Sequence, residues 1–209
     1  QCRKIITDAR NGIFAPVYLL MGAEPYYPDL VCENILKYAL SDSERDFNQS
    51  VYYGLDTDAG TVASDARGYP MMSERRLVVL KEAQNMKSLE ELGVYAAEPM
   101  DTTVLVILMH GASADKRKSL YKNVSKNGIV LDSPQLRDYE MPEWISSYFN
   151  SRGVVIAPDA AALLAEYAGT DLGKIAVETD KMLKSLPEGT KTVTAADVEN
   201  NVGISRQYS

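Results

Sequence analysis

The sequence predicts an α/β domain built on a mostly parallel sheet, followed by a small all-α domain. Short apolar segments alternate with amphipathic segments through residues 1–140. Most of the short segments are apolar throughout, which is typical of strands buried on both faces of a parallel sheet. Beyond residue 140 helical periodicity continues without further long strands, so residues 141–209 are expected to form a helical bundle.

Five strands and the helices between them are predicted in the first domain. The strands are expected at 16–21, 46–53, 77–80, 103–109 and 129–131. The helices are expected at 2–10, after an N-cap at Asp29, at 58–67, around 89–96 and at 115–126. Residues 103–109, TVLVILM, are the most apolar segment and predict the central strand.

The second domain is predicted from apolar stripes at helical spacing. Helices are expected at 141–152, 161–168 and 172–186, with a short extended link at 154–156. A last helix is expected after Thr194, because Thr194 and Asp197 have the spacing of a shortened capping box.

Composition limits the classes of function. The net charge is −7, so the chain has no overall basic field that would draw it onto nucleic acid. Two cysteines are too few for a disulfide framework, which indicates a reducing, cytoplasmic setting. No apolar run reaches the roughly 18 residues of a membrane span. The first residue is glutamine, so we expect a fragment or a processed chain.

An α/β domain followed by a small helical domain is the outline of an AAA+ ATPase module, with its P-loop NTPase fold. Such an enzyme needs GxxxxGK[ST] after the first strand, to hold phosphates and magnesium. Here Gly22–Asp29 reads GAEPYYPD, which keeps only the first glycine and has two prolines that lack amide donors. The strand at 103–109 is followed by His110 instead of acidic residues. The phosphate loop is therefore degenerate, and a nucleotide-binding enzyme with an atypical loop remains only an alternative.

No other catalytic, metal or cofactor site is predicted. His110 is the only histidine, so neither a histidine-based metal cluster nor a histidine relay has a second member.

Two other segments are candidate binding sites. Pro70, Met71 and Met72 have no strand or helix period and stand just before an apolar strand. The methionines either plug the end of the core or form an adaptable binding surface. Lys118, Lys122 and Lys126 have the spacing of one helical row, which is either a solvated face or a contact to DNA phosphate or an acidic partner.

Several blocks in order resemble the delta subunit family of the bacterial DNA polymerase III clamp loader. The most specific block is PMMSERRLVVLKEA. The others are PVYLLMGAEPYYPD, ERDFN, TVLVILMHGASADKRKSLYK, MPEWISSYF and AALLAEYAGTDLGKIAVETDKM. Together they extend over nearly the whole chain.

The resemblance implies a non-catalytic subunit of a DNA-directed DNA polymerase holoenzyme, a nucleotidyltransferase, that acts in DNA replication. Family members are AAA+-like, bind no ATP, and open the ring of the sliding clamp (beta) for loading on primed DNA. The apolar pair that enters the clamp corresponds to Met71 and Met72, after Pro70. The family often has a bulkier second residue than Met72. Implied partners are the clamp and the gamma/tau and delta prime subunits, with no membrane. The family's C-terminal collar domain is expected to be absent from this chain.

Overall fold

The computed structural model describes residues 1–207, with side chains through residue 202. The chain divides into two compact units, Gln1–Pro134 and Gln135–Ser209. Within residues 1–207, none of the helices is long and apolar enough to cross a membrane.

The first unit contains a five-stranded sheet in which each neighbouring pair of strands is parallel. The strands are β1 Val17–Met21, β2 Gln49–Tyr53, β3 Arg76–Lys81, β4 Thr103–Leu108 and β5 Ile129–Asp132. Their order is β2-β3-β4-β1-β5, so β4 is central. Every residue of β1 and β4 is buried, as their uniformly apolar sequences predict. The predicted α/β fold with a parallel sheet is confirmed.

Helices cover both faces of this sheet. They are α1 Cys2–Arg10, α2 Tyr26–Tyr38, α3 Asp42–Asn48, α4 Ala59–Ala66, α5 Leu92–Ala97 and α6 Ser119–Asn127. Successive strand residues point to opposite faces. Val78 and Leu80 therefore join one core with α4, α5 and α6, and Leu77 and Val79 join another with α1 and α2.

Two predictions near the second strand and its preceding helix were wrong. Asp29 is not an N-cap, because α2 already begins at Tyr26 after Pro25. Residues 46–48 are helical and not extended. Ser41 and Glu44 form a capping box that starts α3, and the strand begins only at Gln49.

The helix expected over 115–126 is also shorter than predicted. The Asp115 carboxylate accepts a hydrogen bond from the Arg117 backbone N–H at 2.9 Å, which turns the chain. Lys118 is the N-cap of α6, with φ −91° and ψ 165°. Lys118 thus precedes the helix on which Lys122 and Lys126 lie.

The second unit contains four α-helices within residues 135–207, namely α7 Met141–Ser151, α8 Pro158–Ala168, α9 Leu172–Ser185 and α10 Ala195–Gln207. Two short strands pair in parallel: β6 Val155–Ile156 lies in the extended link predicted at 154–156, and β7 Thr192–Val193 was not predicted. The predicted cap is present, since the Thr194 N–H donates to Asp197 Oδ2 at 2.9 Å and the Asp197 N–H donates to Thr194 Oγ1 at 3.3 Å.

Candidate partner-binding site at the amino end of strand β3

Met71 and Met72 lie on an exposed loop between α4 and β3. The side chain of Met71 is 58% exposed and that of Met72 is fully exposed. Met72 has a φ of 53°, in the left-handed region that residues other than glycine rarely adopt. The interpretation that these methionines plug the core is therefore wrong. We call residues 69–75 the methionine loop.

Asn48, the last residue of α3, holds the backbone of this loop. Its Oδ1 accepts a hydrogen bond from the Met71 N–H at 2.7 Å, and its Nδ2 donates to the Met71 carbonyl at 2.8 Å. The Asn48 side chain is buried, with the residue only 1% exposed. A buried amide paired with both backbone groups of one residue fixes the position of that residue.

Glu44 lies one helical turn before Asn48 on α3 and also interacts with the methionine loop. Hydrogen bonds from the Ser73 side chain, and from the backbone and side chain of Ser41, lower the pKa of the Glu44 carboxyl to about 2. The capping box that begins α3 thus also contacts the methionine loop. Asn48 and Glu44 are four residues apart, so both lie on one face of α3.

Arg75 fixes the carboxyl end of the loop. Its guanidinium donates to the Ala39 carbonyl at 3.0 Å and to the Gly12 carbonyl at 3.3 Å. The same group lies 4.7 Å from the centroid of the Phe14 ring, at cation–π distance. The loop that carries the exposed methionines is therefore held at Met71 through its backbone and at Arg75 through its side chain.

The first residue of β3 is tied to α4 by an ion pair. Arg76 Nε donates to Asp65 Oδ1 at 2.8 Å, and the Tyr52 hydroxyl donates to Asp65 Oδ2 at 2.6 Å. Burial opposes ionisation of Asp65, but hydrogen bonds from Tyr52, Ser50 and Arg76 outweigh it and hold the pKa of this carboxyl below its ordinary value. The strand behind the methionine loop is thereby anchored.

Sequence reasoning missed Asn48 and two exposed aromatic residues, one on α3 and one within the methionine loop. Phe47 on α3 is 67% exposed and Tyr69 is 76% exposed. The only signal for Phe47 was a large apolar residue in the otherwise polar segment DSERDFN. Asn48 carried no signal, because its partner Met71 is 23 residues away.

The degenerate phosphate loop follows β1, at the carboxyl ends of the parallel strands, whereas the methionine loop lies at their amino ends. The Gly22 N–H donates to the Ala112 carbonyl at 2.9 Å, and the Glu24 N–H donates to the Ser133 carbonyl at 3.1 Å. The buried Glu24 carboxylate accepts a hydrogen bond at 3.0 Å from the Tyr26 N–H, at the start of α2. These amides are the groups that a phosphate loop would offer to a nucleotide.

A cleft of about 340 Å³ lies at the carboxyl ends of β3 and β4, and Lys81 and His110 are among its lining residues. His110 Nδ1 is 3.8 Å from Asp29 Oδ2, and burial raises the pKa of the Asp29 carboxyl. Through residue 202, where side chains are described, no cluster of three or more histidine, cysteine or acidic residues could hold a metal ion.

The three candidate lysines are all exposed. Lys122 and Lys126 are one helical turn apart on α6, whereas Lys118 precedes the helix. Among side chains described through residue 202, none of the three forms an ion pair. They are free to contact an acidic surface.

Comparison with known proteins identifies relatives of the whole chain. A DNA polymerase III subunit delta from Bacillus subtilis is 25% identical over 213 residues, covering 96% of this chain and 60% of that protein. A solved structure, the DNA clamp loader delta protein of Bacillus subtilis, has a TM-score of 0.75 at 24% identity, covering 96% of this chain and 62% of its own. The chain thus spans less than two thirds of the length of these relatives.

A more distant likeness is to an AAA+ motor, which supports the fold alone. The Holliday junction branch migration motor RuvB of Thermotoga maritima has a TM-score of 0.51 at 18% identity, covering 97% of this chain and 68% of its own. The sequence pattern of the family described as DNA polymerase III, delta subunit matches residues 18–133, more than half of the chain. The chain therefore belongs to the DNA polymerase III delta subunit family.

Proposed function

We propose that this chain binds the sliding clamp through Pro70, Met71 and Met72 and opens its ring for loading on primed DNA. One observation carries the proposal: two neighbouring methionines are exposed on a loop in which Asn48 holds the Met71 backbone and the Arg75 side chain binds two carbonyls outside the loop. Large exposed apolar side chains on a held backbone are suited to insertion into a pocket of a partner.

Methionine suits this role because its side chain is unbranched and polarizable. It can adapt to an irregular apolar pocket. Met72 is therefore compatible with binding, although the family often has a bulkier residue at this position. Pro70 restricts the backbone just before the pair and lowers the entropy that the loop would lose on binding.

Opening requires no chemistry in this chain. A protein that binds the open ring more tightly than the closed ring shifts the population by that difference in affinity. We propose that ATP is hydrolysed by other loader subunits, gamma/tau, and that this chain is non-catalytic. The hydrogen bonds that occupy the amides of Gly22, Glu24 and Tyr26 support that part of the proposal.

The assembly around this chain is also a proposal. We propose that the chain contacts delta prime and gamma/tau in a cytoplasmic clamp loader, and its family membership supports this. We further propose that the lysines at 118, 122 and 126 contact DNA phosphate or an acidic partner in that assembly. The support for this contact is their exposure without ion pairs among the described side chains.

Ring opening can be measured directly. The cognate clamp would carry a fluorophore pair across one ring interface, and this chain would be titrated in without ATP. We expect a saturable loss of energy transfer with the wild-type chain. The same signal should need a much higher concentration of the Met71→Ala, Met72→Ala double variant. A loss of energy transfer that occurs only with ATP and other subunits would refute opening by this chain alone.

A further inference from the structure

We propose that Asn48 is a positioning residue that holds the methionine loop in its clamp-binding conformation before the clamp arrives. This inference rests on the proposed function. Asn48 does not reach the loop surface, since it is 1% exposed, so it acts through the backbone of Met71.

The hydrogen-bonding capacity of the Asn48 amide is directed at backbone groups. Its oxygen accepts from the Met71 N–H, and its nitrogen donates both to the Met71 carbonyl and to the Glu44 carbonyl, the latter at 2.9 Å. One edge of the amide thus exchanges two hydrogen bonds with the Met71 backbone, as a residue of a neighbouring strand would. The bond to Glu44, within α3, keeps the amide oriented toward the loop.

Side-chain packing cannot hold this part of the loop, because the side chains of Met71 and Met72 are exposed. Met72 also has a backbone conformation that is unfavourable for a residue with a Cβ. A loop without its backbone partner would populate other conformations, and clamp affinity would fall with the competent fraction. Hydrogen bonds from Asn48 on α3 therefore supply the order at Met71.

The chemistry at position 48 is specific to an amide. Aspartate has the same shape, but its carboxylate has no donor and would face the carbonyls of Met71 and Glu44. A protonated aspartic acid regains one O–H donor. Alanine removes all three hydrogen bonds of the amide at any pH, so the two substitutions separate donor loss from simple loss of the side chain.

Asn34 on α2 gives a matched control. Its Nδ2 donates to the Leu30 carbonyl at 2.8 Å, four residues earlier, as Asn48 does to Glu44. The Asn34→Ala variant therefore removes an equivalent bond within a helix without touching the loop.

The experiment is a titration of the wild-type chain, Asn48→Ala, Asn48→Asp and Asn34→Ala against the cognate clamp, well below each melting temperature. We expect both Asn48 variants to bind about tenfold more weakly at pH 7.5 and Asn34→Ala to bind as the wild type does. At about pH 5, the clamp affinity of Asn48→Asp should return toward that of the wild type at the same pH. Asn48→Ala should not recover. Wild-type affinity in both Asn48 variants would overturn the inference.

Hydrogen exchange at the Met71 amide gives a readout that is independent of the clamp. The wild-type amide should be protected, and Asn48→Ala should exchange faster while the core strands keep their protection. Weak clamp binding by the Asn48 variants with unchanged exchange at Met71 would contradict positioning. If Met71→Ala, Met72→Ala binds the clamp as tightly as the wild type, the proposed function fails, and exchange alone then decides whether Asn48 orders the loop.

Discussion

Arg76 binds the Asp65 carboxylate through both Nε and Nη2, and this pair joins the first residue of β3 to helix α4. The two side chains are only 20% and 10% exposed. Removal of one partner would leave the other charge mostly buried and uncompensated, which is more costly than the loss of an exposed ion pair.

Asp65→Asn should lower the free energy of unfolding by about 2 kcal/mol, measured by urea denaturation. The control is Asp42→Asn, which removes the partner of Arg45 at a site where Asp42 is 95% exposed. That change should cost less than about 0.5 kcal/mol. Equal losses in the two variants would show that the Asp65 pair does not anchor β3.

Glu44 should make stability depend on pH below neutrality. Its pKa falls from 4.5 to about 2 on folding, so the ionised carboxylate stabilises the fold above about pH 4.5. This stabilisation should fade as pH falls from about 4.5 toward 2, because the carboxylate then becomes protonated in the folded chain as well.

The Glu44→Gln variant isolates this effect. The melting temperature of the wild type should exceed that of Glu44→Gln at about pH 6. The difference between the two melting temperatures should be smaller at about pH 2.5. Glu98→Gln, a substitution at an exposed position outside residues 69–75, is the control. A gap that stays constant over this range would mean that the Glu44 contacts to Ser41 and Ser73 do not favour its charged form.

The chain should not bind ATP. The Glu24 carboxylate already accepts the Tyr26 N–H at the start of α2, where a phosphate would need that donor. Equilibrium dialysis with labelled ATP and magnesium should show no saturation, while an ATP-binding AAA+ protein in the same buffer should saturate. Saturable binding at micromolar ATP would restore the alternative of a nucleotide-binding enzyme.

The three lysines should affect DNA binding only in the assembled loader. With a net charge of −7, the isolated chain should not bind primed DNA measurably even at low salt. In the assembly, replacing Lys118, Lys122 and Lys126 by alanine should reduce the salt slope by about one for each lysine that binds a phosphate. Lys87→Ala is the control. Strong, salt-dependent binding by the isolated chain would instead support a DNA-binding module.

The sheet could be predicted because its information is local. The strand at 77–80 is apolar at every position and the strand at 103–109 at every position after Thr103, and this pattern indicates burial on both faces before any partner strand is known. The start of α3 could not be predicted in the same way. The segment DSERDFN is polar without a helical stripe, and its helix depends on the Ser41–Glu44 capping box.

The sequence indicated the methionines of the candidate site but not the residues that hold their loop in place. The methionines stand out because Pro70, Met71 and Met72 fit no period, but their exposure depends on contacts from distant residues. Asn48, Arg75 and Asp65 hold the loop and its strand through partners that are 11 or more residues away. Such pairs follow from the fold and cannot be inferred from local pattern alone.

The central claim is that Met71 and Met72 anchor this chain to the clamp. The most direct test is calorimetric titration of the cognate clamp with the wild type, with Met71→Ala, Met72→Ala, and with Val94→Ala. Val94 is a 72% exposed apolar residue on α5 and serves as the matched control. The double variant should bind at least about 30-fold more weakly, equivalent to about 2 kcal/mol, and Val94→Ala should bind as the wild type does. Equal affinity of the wild type and the double variant would contradict the account.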